Sequence, residues 1–211
     1  MPDRSASRAG DGSVSRLLKS AARQSYDPDV DLDWDAPEVD GLWAMQPERM
    51  SLYGTKLWDR LTDDQRKELS KHEVASIASV GLWFEIVLMQ VLFLLTEIAD
   101  ECRHSTMFGR AIARHGVPAY GPRPQIRRLA KVFPLIARGA GAYASILIGE
   151  EPVDRWQREQ MLDERIQPLI RMVSRIHVVE EARHVTFARE ELEKSVARMG
   201  RTERLFHQTV T

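Results

Sequence analysis

At 211 residues the chain is long enough for one substantial domain and too short for two large ones. Hydrophobic residues at 43% and charged residues at 29% fit a folded globular protein and exclude a disordered one. A net charge of −1 leaves no electrostatic footprint for nucleic acid or an anionic membrane surface. The single cysteine, Cys102, excludes an intrachain disulfide framework and fits a reducing, cytoplasmic setting.

Residues 1–25 are rich in Ser, Arg, Gly and Asp, lack the apolar core of a secretory signal and read as a mobile tail. Residues 26–50 read as an extended strap held on the body by Trp34, Leu42 and Trp43. In LTDDQRKEL, Thr62 and Gln65 form a capping box that opens a long helix. The apolar run from Val74 to Ala99 is long enough to span a membrane. Glu85 in its middle and Gln90 after it are costly in lipid, so it reads as buried in protein. RHGVPAYGPRP, residues 114–124, is a strong stop. A helix resumes near Gln125 and runs through FPLIARGAGAYASILIGE until Pro152 breaks or restarts it. A last long helix covers roughly Gln160 to Met199. No segment alternates as a hairpin does, and the class is all-α, a helical bundle.

One phrase occurs twice. Glu101, Arg103, His104 and Thr106 match Glu181, Arg183, His184 and Thr186 at a constant offset of 80 residues. Each copy is an E-x-x-H, which puts Glu and His one helical turn apart, close enough to hold one ion. Two copies on facing helices, with a Glu from each of two more helices, make a ferritin-like di-iron or di-manganese site. Glu85 and Glu150 supply those carboxylates from apolar surroundings, with Glu151 competing for the second place.

A single E-x-x-H in a charged helix is usually a solvated pair. Two copies with shared flanks, each preceded by an apolar Glu, favour metal binding by a wide margin. His177, four residues before Glu181 and seven before His184, shares their helix face. It reads as a third imidazole ligand that makes one metal more nitrogen-rich, against a satisfied core histidine. Arg103 and Arg183 read as salt-bridge residues, and Met107, Phe108 and Phe187 as core. Glu97 and Glu180 are either hydrogen-bond partners behind the ligands or surface carboxylates.

SLYGTKLWDRL, LWFEIVLMQ, TEIADECRHSTMFGRAI and RIHVVEEARHVTFAREEL together resemble the di-iron N-oxygenases related to para-aminobenzoate N-oxygenase. The resemblance covers about residues 50–195, and H-x3-E-x2-H is its most specific mark. It implies a ferritin-like bundle over residues 51–211 whose two irons activate O2 and oxidise an aryl amine through hydroxylamine toward nitro. Carried over by motif, the ligands are Glu85, Glu101, His104, Glu150, His177, Glu181 and His184. Manganese suits the same donors. The resemblance further implies a homodimer. Without a dinucleotide-binding glycine motif, the electron donor must be external. A di-iron hydroxylase or desaturase, or a ferritin-like iron-oxidising protein, would use the same pattern.

One departure stands out. Glu85 and Glu101 are 16 residues apart with no turn signal between them. On one continuous helix they would lie ~24 Å apart on nearly opposite faces. The resemblance implies a longer connection, so residues are expected to be missing from QVLFLLTE.

Overall fold

The computed structural model describes residues 4–90 and 95–210, and they are mainly helical with no strand among them. Four long helices make the bundle: α3, Asp63–Leu88; α4, Leu95–Arg114; α6, Ala140–Gln160; and α7, Pro168–Arg198. α3 packs on α4, α6 packs on α7, and α4 meets α7 across the middle. The smaller elements are α1, Arg4–Arg23; α2, Lys56–Arg60; α5, Pro124–Ile136; and α8, Arg201–Val210.

Local chemistry sets most boundaries. Thr62 and Gln65 form the expected capping box at the start of α3. Pro124 and Pro168 open α5 and α7 in their first turns, where a missing N–H costs nothing. The continuous helix expected from Gln125 onward is two helices, because Gly139 takes a φ of 53° between them. Pro152, expected to break the chain, lies inside α6. The carbonyl its absent N–H leaves over is that of Ile148, a residue 72% exposed. The last helix expected from Gln160 is also corrected: α6 ends there and α7 starts eight residues later.

The chain also reverses between Glu85 and Glu101. α3 ends at Leu88, and the last turn tightens through Gln90 N–H donating to Val87 O. Residues 91–94, within QVLFLLTE, lie outside the described residues. α4 then runs antiparallel to α3. Gly81 faces Phe108, Gly109 faces Leu82, and Met89 Sδ meets Cys102 Sγ. The two glutamates are therefore on adjacent helices rather than on one continuous helix, and the short link does not keep them apart. No helix among the described residues is long and apolar enough to cross a membrane.

Where a mobile tail is expected, Arg4–Arg23 form α1, which packs on α7 and buries Leu17. In the following segment Leu32 and Trp34 join an apolar cluster with Met107, Phe108 and Ile176. Trp43 forms a parallel bridge with Ile166 and packs beside Met45, Trp58 and Ile170.

The apolar layers locate the site. Along α7, Val173 and Ile176 belong to one cluster and Ala188 to another, and the buried positions between them include His177, Glu180, Glu181 and His184. α3 repeats this with Leu82, Glu85 and Leu88. A band of charge is thus buried between two apolar layers.

A candidate metal centre between four helices

Two groups of buried side chains could each hold a metal ion. Glu85, His104 and His177 form one, and Glu101, Glu181 and His184 the other; within each group the ligand atoms lie within 4.8 Å of one another. The first holds two imidazoles and the second one. They are contiguous: His104 Nδ1 is 3.2 Å from Glu101 Oε2 and 3.2 Å from Glu181 Oε1. His184 Nδ1 lies 3.1 Å from Glu101 Oε1 and 3.0 Å from Glu181 Oε1. Glu101 and Glu181 of the second group therefore lie between His104 of the first group and His184, where carboxylates can bridge two ions.

Glu150 is outside both groups but faces the same space. It is 2% exposed and lines one cavity with Glu85 and His177. Glu151 is exposed and pairs with Arg189 at 2.6 Å. The geometry thus puts Glu150 inside and Glu151 outside. All seven residues picked from the sequence converge on this one region.

The donors fit a metal. Three carboxylate oxygens, Glu85 Oε2, Glu150 Oε1 and Glu181 Oε2, are buried without a hydrogen-bond partner. Orphaned buried acceptors are rare, and here they belong to side chains that converge on one point. The imidazoles are braced from behind. His104 Nε2 donates to Glu180 Oε2 at 2.9 Å, and His184 Nε2 to Asp100 Oδ2 at 3.2 Å. His177 Nδ1 donates to Gln157 Oε1 at 2.6 Å, leaving its Nε2 3.3 Å from Glu85 Oε1. Each ring thus turns one nitrogen inward and spends the other on an acceptor, as metal-binding histidines do.

The electrostatics follow from burial and crowding. Burial, reinforced by the charge of Glu101, pushes Glu85's carboxyl well above its usual range. Burial and the charge of Glu181 do the same to Glu150. Burial also pushes up on Glu181, but the His184 charge and hydrogen bonds from both histidines prevail and hold it down to about 2. Burial opposes protonation of His104 and His184, yet their carboxylate partners raise both well above the ordinary histidine value. His177, buried beside a charged His104, is lowered to about 4.

Two of the bracing residues, Asp100 and Gln157, were not singled out from sequence. Asp100 carried a signal, since an acid precedes the Glu in both copies of the repeat. Gln157 carried none. Glu180 proves to be a buried hydrogen-bond partner, and Glu97 lies outside the described side chains. Arg103 pairs with Asp100, and Arg183 with Asp100 at 3.1 Å and Glu180 at 3.7 Å.

Three curated relatives are each 30% identical over 217 aligned positions, covering 92% of this chain. They include uncharacterized protein Rv0885 of Mycobacterium tuberculosis and uncharacterized protein Mb0909 of Mycobacterium bovis. The chain spans 63% of the length of these relatives. The alignment is longer than the chain's 211 residues, so the relatives carry residues without a counterpart here. No solved structure matches. The family profile described as P-aminobenzoate N-oxygenase AurF matches residues 9–211, and the chain belongs to that family.

Proposed function

We propose that the chain is a non-haem di-iron oxygenase that N-oxygenates an aryl amine toward hydroxylamine and nitro products. Its iron ligands are Glu85, Glu101, His104, Glu150, His177, Glu181 and His184. The observation that carries this reading is the pair of contiguous, buried donor groups with three orphaned carboxylate oxygens. Four carboxylates would balance the charge of two divalent ions, which relieves the cost of burying them. Imidazole suits iron, and carboxylate suits its oxidised form. His177 favours this reading over a hydroxylase, desaturase or iron-storage protein, since the plain paired E-x-x-H pattern does not call for it.

An iron pair held by these residues would supply the redox chemistry with O2. The chain's own residues orient and shield. Asp100, Glu180 and Gln157 hold the outer ring nitrogens, so each imidazole keeps one orientation and one lone pair directed inward. The apolar clusters containing Phe108 and Ile146 keep water from either end of the charged band. A cavity between α3 and α6 admits the amine beside Glu85, Glu150 and His177. Electrons come from an external donor. A cytoplasmic homodimer fits the single cysteine and the exposed Ile126, Leu129 and Val132 on α5.

The test is anaerobic Fe(II) loading, desalting, metal analysis and O2 uptake with an aniline present. Roughly two irons per chain and amine-dependent O2 uptake are expected. Uptake no faster than that of free iron would sink the proposal.

A further inference from the structure

We infer that the amine oxidised here is a neutral aromatic amine lacking a carboxylate, so that an aminobenzoate-type anion is discriminated against. This rests on the oxygenase reading and narrows its substrate class.

A cavity of about 350 Å³ runs between α3 and α6 to the candidate centre, a size that suits one substituted ring. Glu85, Glu150 and His177 form its inner end, and Ile77, Val80, Phe84, Phe108 and Val153 form most of its walls. Gly81 and Gly149 also line it, and the rings of Phe108 and Phe84 lie over these bare positions, so the wall there is aromatic surface. Val80, 45% exposed, marks the mouth.

No lysine or arginine lines this cavity among the described residues. A carboxylate leaving water needs a guanidinium, an ammonium or several converging N–H groups. The walls here belong to α3, α4, α6 and α7, whose interior N–H groups are spent on the helices themselves. Among the described residues that leaves the Ser76 hydroxyl, since the ring N–H of His177 is spent on Gln157. The inner end adds two carboxylates facing the ligand. With two divalent ions the four glutamates reach formal neutrality, so the centre offers no net positive charge to repay the anion. The aromatic part is well served: Phe84 and Phe108 present ring surface, and the Phe108 ring centre lies 5.0 Å from that of His177.

The experiment compares p-toluidine with 4-aminobenzoate, which differ in a methyl against a carboxylate. Binding to the full-length Zn(II)-loaded chain is measured by calorimetry, so that no redox turnover intervenes. p-Toluidine is expected to bind about tenfold or more tighter. Equal or tighter binding of 4-aminobenzoate, or no binding of either, overturns the inference. In a second arm, Val80→Arg should raise 4-aminobenzoate affinity about tenfold and change p-toluidine affinity less than about twofold. An unchanged ratio would mean that the ligand sits elsewhere, which also overturns it. The oxygenase reading fails separately: a chain that prefers p-toluidine yet consumes no O2 with iron loses its proposed reaction and keeps its ligand preference.

Discussion

Asp100 accepts a hydrogen bond from Nε2 of His184 at 3.2 Å, although 84 residues separate them. Glu180 does the same for His104 at 2.9 Å, across 76 residues. Each acid immediately precedes the proposed ligand glutamate of its own helix and braces the histidine of the other. The two copies of the repeat are thereby cross-linked, with Arg103 and Arg183 balancing the charge of the acids between them.

Asp100→Asn and Glu180→Gln keep the shape and an oxygen acceptor but remove the charge. Metal affinity is expected to fall about 10- to 100-fold in each, with stoichiometry at saturating metal unchanged. Competition against a coloured chelator measures this. Unaltered affinity in both variants would mean that the crossed bonds do not orient the imidazoles.

His177 belongs to the group with two imidazoles, and Gln157 holds its Nδ1. His177→Ala is expected to bring iron content from roughly two toward one per chain. Gln157→Leu removes only the acceptor, so roughly two irons should still bind, with one weakened about tenfold. Metal analysis across a free-iron series separates the two outcomes. A core histidine without a ligand role predicts full iron content in both variants.

Proton competition sets a pH dependence. His104 and His184 are raised well above the ordinary histidine value by their carboxylate partners, so in the metal-free chain they hold protons at neutral pH. Glu85 and Glu150 are raised as well. A metal must displace those protons, so affinity falls with falling pH and rises as pH increases. The expected slope is about tenfold per pH unit for each proton released. Chelator competition at about pH 6.5 and 8, with calorimetry in two buffers of different ionisation enthalpy, counts the protons. A flat profile would contradict it.

Helical periodicity made much of this centre readable from the chain. E-x-x-H and H-x3-E-x2-H are local patterns, and a helix turns such spacing directly into a shared face. Glu85 was readable for a different reason, as a charge without compensation in an apolar run. What spacing could not reveal depends on tertiary contact. Gln157 reaches His177 only because α6 packs on α7. The reversal after Leu88 has no glycine or proline to announce it, and the run on both sides is largely apolar. Pro152 misled for the opposite reason: a helix breaker is tolerated where the neighbouring turn faces solvent.

Gly149 tests how closely the scaffold is fitted to the site. A Cβ at this position would lie 2.1 Å from Cζ of Phe84 and 2.7 Å from its Cε1, so the phenyl ring must move. Phe84 precedes Glu85 on α3, and Gly149 precedes Glu150 on α6, so the contact spans two of the four helices that bear the centre. Gly149→Ala gains helix propensity on α6, worth about 1 kcal/mol. The overpacking against an aromatic ring costs about 1–3 kcal/mol. The second effect should equal or exceed the first, leaving a net loss of up to ~2 kcal/mol in thermal unfolding of the metal-free chain. Phe84 lines the α3–α6 cavity, so displacing its ring should weaken p-toluidine binding more than metal binding. A Gly149→Ala chain that is stabilised and binds p-toluidine as before would show that Phe84 can yield without cost. Phe84→Leu in the same background supplies the control, because removing the ring should relieve the clash and restore stability.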